Sequence, residues 1–170
     1  MYATFLLRFK AFLIDYLFIF SYLITLVIIS ELLFPSLQNL FKHSIVIAQI
    51  TSFIIVTLPV SLYFIITDSV LVGQSFGKKK IGIRVVNNNS NPLSIQQSIL
   101  RTMTKFLPWE LSHYLIYRTV EIGEGEIPIY NYAIGGLVYV LIIVYILTAI
   151  FTKKKQSLYD MIVKTQVIKI

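Results

Sequence analysis

A carboxylate, Asp15, lies about one turn inside an apolar run that extends from Ala11 to Leu33, and it limits what this chain can fold into. A run of that length crosses a bilayer as a helix. A carboxylate exposed at the bilayer centre costs roughly 2.5–3.5 kcal/mol on insertion scales. Asp15 must therefore face protein or a water-filled cavity. Arg8 precedes it by seven residues, so the two share a helix face roughly 10 Å apart along the axis, with Ala11 and Phe12 between them. Helical side chains lean toward the N-terminus, which aims Arg8 away from Asp15. A bridge within the helix is disfavoured, and each charge needs water or a partner from another helix.

The composition supports a membrane setting. Of 170 residues, 56% are hydrophobic and only 14% charged, against about 25% charged in soluble domains. The net charge of +7 would suggest nucleic acid in a soluble protein. Here the Lys and Arg residues cluster in loops beside apolar spans, as the positive-inside rule describes, and no nucleic-acid partner is expected. The absence of cysteine excludes disulfides, thiol chemistry and Cys-based metal sites. With His43 and His113 the only histidines, neither a metal site nor another cofactor is expected. The first apolar run is too long for a signal h-region and no small-residue cleavage site follows it, so it reads as a first transmembrane helix.

The expected fold is an all-α membrane protein, a single domain over 1–170 built as a four-helix transmembrane bundle with a small two-stranded sheet. The spans are placed at about 11–33, 45–67, 99–118 and 129–151. The first ends near Pro35, in a loop carrying Lys42 and His43. Pro59 should bend the second, with Thr57 and Ser61 near enough to satisfy the freed backbone groups. The third contains Arg101, Lys105, Pro108, Glu110 and His113, so hydropathy alone would not choose it. Loop charge does. The Glu121, Glu124, Glu126 loop has no Lys or Arg after Arg118, whereas lysine clusters flank it on both sides. For both clusters to be cytoplasmic, the chain must cross between Lys105 and Glu121. That puts both termini, segments 73–98 and 153–170, and every Lys and Arg except Lys42 and Arg118 on the cytoplasmic side of a bacterial inner membrane. The third crossing must be shielded by the other helices and is a candidate for a break at Pro108.

Gly73-Gln74-Ser75-Phe76-Gly77-Lys78-Lys79-Lys80 superficially resembles a phosphate loop, but the glycine spacing is wrong and no Ser or Thr follows the Lys. It reads as a turn beneath the membrane. Lys78, Lys79 and Lys80, with Lys153, Lys154 and Lys155, are assigned to anionic lipid headgroups. Residues 81–86 have strand composition and end in the turn-rich 87–92, and the partly alternating 165–170 can pair with them. Ser94 with Gln97 forms a capping box for the following helix.

These residues resemble the RDD family of bacterial membrane proteins. Arg8 with Asp15 is similar to its first-helix pair, and residues 77–86, GKKKIGIRVV, to its "GK…GIRVV" stretch. Pro92-Leu93-Ser94 leading to Arg101 resembles its third block. Leu158-Tyr159-Asp160 with Thr165 resembles its closing motif, with Tyr159 where His is common and Met161 to Lys164 replacing the usual small residues. The resemblance places the second aspartate at Asp160. It also implies transport as a suggested activity, in some members sodium/proton exchange.

The candidate site is a polar cluster of Arg8, Asp15 and Asp160, with Asp68 and Arg101 as further members; for Asp68 a helix-end role is the plainer reading. A structural network and reversible cation or proton binding both remain open. Glu110, His113 and Tyr117 share a stripe at helical spacing, open to interhelical hydrogen bonds or a proton relay. No catalytic constellation has recognisable spacing, so an enzyme is not expected. Two functions stand: a small cation- or proton-coupled transporter, for which four short helices call for a homo-oligomer, and a membrane scaffold binding a partner or anionic lipid.

Overall fold

The computed structural model describes residues 1–32 and 44–170; the expected turn at Pro35, with Lys42 and His43, lies outside them. The chain is mostly helical. Helix α1 (Phe5–Leu32) buries only Ala11 and Asp15, one turn apart, and presents large apolar side chains such as Leu17, Val27 and Leu32 outward. The next long helix, α2 (Ile45–Asp68), and a later one, α5 (Ile129–Phe151), are built the same way, and all three are long and apolar enough to cross a membrane. Surfaces so continuously apolar suit hydrocarbon, where a helix satisfies its own backbone.

Two prolines are handled by one device. Ahead of Pro59, α2 widens into a π-helical turn, Phe53–Thr57, in which the Leu58 N–H donates to the Phe53 carbonyl. Pro59 has no N–H to offer the carbonyl of Ile55, and the Tyr22 hydroxyl of α1 donates to it instead, at 2.5 Å. Thr57 and Ser61 do not take this role, and the Thr57 hydroxyl donates to Glu110. Helix α4 (Ile95–Ile122), which starts at the Ser94–Gln97 capping box, runs unbroken through Pro108, so no break occurs there. The Thr104 carbonyl that Pro108 leaves free accepts from the Tyr145 hydroxyl of α5 at 2.6 Å.

The expected turn at 73–80 is partly helical. Ser75 accepts from the Lys78 N–H and caps the short helix α3 (Phe76–Ile81), which Gly82 closes in the left-handed conformation, φ 72°. Strand β1 (Ile83–Asn87) follows and pairs antiparallel with β2 (Thr165–Lys169), Val85 opposite Val167. Between α5 and β2 lies α6 (Leu158–Ile162), started by a Ser157/Asp160 capping box. The chain's first residues extend the sheet. The Ala3 N–H donates to the Val167 carbonyl at 2.9 Å, and the Lys169 N–H to the Met1 carbonyl at 2.8 Å. The buried apolar core, Ala3, Ala11, Ile83, Val85, Leu93 and Val167, sits beneath this sheet at one end of the helices. There the long helices stop being uniformly apolar, and that end holds Arg8, Asp68, Lys78, Arg101 and Asp160.

Candidate functional site: a chain of paired charges beside a cavity

Five side chains from five elements form a linear network of alternating sign. The Arg8 guanidinium of α1 meets Asp160 of α6 at 2.5 Å. Arg101 of α4 donates to the other oxygen of Asp160 and to Asp68 at the end of α2, both at 2.9 Å. Lys78 of α3 donates to the second oxygen of Asp68 at 2.6 Å. Asp160 is fully enclosed and Asp68 is 1% exposed, so neither carboxylate has water to stabilise it. Each is bridged by two cations, which is what burial of a charge requires. Burial alone would push the Asp160 carboxyl up, but the flanking Arg101 and Arg8 outweigh it and hold the group below the usual carboxylate range. Thr165 adds a hydroxyl at 3.1 Å, and the Ser157 N–H closes the capping box.

Asp15 stands outside this chain of ion pairs. Its carboxylate accepts from the Gly77 N–H at 2.7 Å, the Ser75 hydroxyl at 2.6 Å and the Tyr63 hydroxyl at 2.8 Å. Tyr63 in turn accepts from the Phe76 N–H. Asp15 therefore fastens the first turn of α3 to α1. The approach is close because both contact points are small: a Cβ on Gly77 would fall on the Ala11 carbonyl oxygen and press on the Asp15 carboxyl. The two parts of the site meet at a cavity of about 190 Å³ lined by Arg8, Asp15, Lys78, Arg101 and Lys105. Lys105 rests its ammonium 3.7 Å from the centre of the Phe64 ring and has no ion pair among the described residues.

Of the expected site residues, then, Arg8, Asp68, Arg101 and Asp160 share one network, and Asp15 reaches it only across the cavity. Lys78 was assigned to lipid headgroups; it is instead 8% exposed and committed to Asp68. Lys155 also turns inward, donating to the Ile150 carbonyl at the end of α5. Lys79, Lys80, Lys153 and Lys154 remain exposed. Glu110 accepts from Thr57 at 2.7 Å and lies 3.6 Å from His113, tying α4 to α2. Tyr117 makes no side-chain hydrogen bond among the described residues. No group of three or more His, Asp and Glu side chains among them could hold a metal ion. Ser75 as the capping residue before a short basic helix was the one available signal for Asp15's partners. Lys105 gave none.

A set of long apolar helices with a charge-paired, sheet-covered end is the architecture of a membrane protein. Residues 2–164 match the RDD family, and the chain belongs to it. No curated protein and no solved structure matches the chain.

Proposed function

We propose that this is a non-catalytic membrane scaffold. In this reading it crosses a bacterial inner membrane four times, with both termini and the sheet-covered end in the cytoplasm, and that end docks on anionic headgroups. The observation that carries the reading is the occupancy of the carboxylates. Asp15 is held by three protein donors, and Asp68 and Asp160 each by two cations. Asp68 and Asp160 are thus already paired with cations, and the oxygens of Asp15 are taken up in holding α3 and Tyr63. The exposed Lys79, Lys80, Lys153 and Lys154 add a basic surface at the same end. For the third crossing, α4 supplies 28 unbroken residues, about 42 Å of helix. Its Arg118 and Glu121 pair with each other at the far end, and the Glu110–Thr57 bond turns a carboxyl toward α2.

A second reading, cation or proton exchange, is favoured by the cavity running beside Asp15; it is the reading that calls for a homo-oligomer. Proteoliposomes separate the two. The scaffold passes no more Na⁺, K⁺ or H⁺ than empty vesicles, and Asp15→Asn lowers its thermal stability. A pH-dependent flux abolished by Asp15→Asn in a normally folded protein would establish exchange instead.

A further inference from the structure

We infer that the cavity is a specific site for the phosphate of an anionic lipid, whose acyl chains lie outside it along α1 and α5. The inference rests on the reading that this end of the protein sits at headgroup level. The cavity wall is unbalanced: Arg8, Lys78, Arg101 and Lys105 face it with Asp15 as the lone carboxylate. Asp68 and Asp160 lie behind and are already shared among three of those cations. One donor and one ammonium are left over. Arg8 Nη2 is enclosed without a hydrogen-bond acceptor among the described residues, and Lys105 Nζ, which has no ion pair among them, lies over the faces of Phe64 and Phe106. An unpaired ammonium in an enclosed site is costly, and an anion in the cavity would pair the Lys105 ammonium.

The rest of the wall says what the anion is attached to. Phe9, Phe12 and Ile146 line the cavity and are also 44%, 41% and 39% exposed on the outside of the helices. The wall therefore runs out onto the lipid-facing surface between α1 and α5. A free phosphate would gain nothing from that apolar margin. A phospholipid headgroup fits both parts, and the excess of positive charge selects an anionic one over a zwitterionic one.

The test is thermal unfolding of the purified full chain in detergent, with added phosphatidylglycerol, phosphatidylcholine of the same acyl chains, or inorganic phosphate. Phosphatidylglycerol is expected to raise Tm by about 5 °C, as a ligand well above its Kd does; the other two should not. Lys105→Met should abolish the shift measured against its own lipid-free Tm, and Lys105→Arg should retain it. Ile146→Trp, at a half-open position, should narrow the mouth and abolish it independently. The quadruple Gln variant at Lys79, Lys80, Lys153 and Lys154 removes general surface docking, and should keep the shift. A shift that survives Lys105→Met and Ile146→Trp but is lost in the quadruple variant overturns the cavity site and leaves surface docking standing. An equal shift with phosphatidylcholine or with phosphate overturns the assignment to an anionic lipid.

Discussion

Asp160 is where most of the pairing converges, since Arg8, Arg101, Thr165 and the Ser157 N–H all donate to its two oxygens. Asp160→Asn would leave the Arg8 guanidinium buried without its counter-charge and Arg101 with Asp68 alone, a loss of about 3–5 kcal/mol. The pH dependence follows from the same contacts. In the unfolded chain the carboxyl takes a proton near pH 3.9; in the fold, Arg101 and Arg8 hold it ionised to lower pH. Its contribution is complete above the unfolded value and is lost as pH falls through the folded one. The Tm gap between wild type and Asp160→Asn should therefore narrow as pH is lowered from 7 to 3, and a constant gap would refute the assignment. Gly77→Ala is a steric test at a neighbouring contact. The added methyl meets the Ala11 backbone oxygen and the Asp15 carboxyl, neither at the end of a flexible chain. A loss of about 1–3 kcal/mol is expected, and a variant as stable as wild type would show that α3 can lift away from α1 freely.

At the scale of elements, the paired prolines carry the most direct prediction. Tyr22→Phe should cost about 0.5–1.5 kcal/mol in wild type, because the Ile55 carbonyl loses its donor. In a Pro59→Ala background the helix regains its own N–H, and the same substitution should cost much less. Unfolding of the four proteins in a double-mutant cycle measures the difference; zero coupling would mean that Tyr22 does not compensate for Pro59. Tyr145 and Pro108 should behave alike through Thr104. The proline positions were legible in the sequence, but their compensating tyrosines were not. Local hydroxyls at Thr57 and Ser61 looked closer, and the actual donor to Ile55 comes from another helix. The lysine run at 78–80 was misread for a related reason. Three identical charges in a row look equivalent until a helix turns one of them inward, as α3 does with Lys78.

At the scale of the whole molecule, three of the long helices and the sheet were readable because each repeats a pattern: apolar runs of crossing length, and the alternation that sets Val85 against Val167; α4 had to be read from loop charge. The added edge from the first residues was not readable, since so short a segment carries no period. Nor could the sequence show that Asp15 would leave the ion-pair chain for the backbone of α3. Orientation in the membrane belongs to this scale and rests on charge distribution. In the four-crossing reading proposed above, the lysine-bearing segments share the side of the sheet, and Glu121, Glu124 and Glu126 lie at and just after the far end of α4. The chain contains no cysteine, so single probes can be introduced without background. Gly125 lies in the turn between α4 and α5, and Gln156 just after α5. In intact cells a membrane-impermeant thiol reagent should modify Gly125→Cys and spare Gln156→Cys, with both reacting after the membrane is opened. Gln156 is half-buried and bonded to Thr165, so exposed Lys154→Cys serves as the second probe on that side. Labelling of Lys154→Cys from outside would overturn the arrangement. It would also remove the sheet-covered end from the cytoplasmic leaflet on which the proposed docking depends.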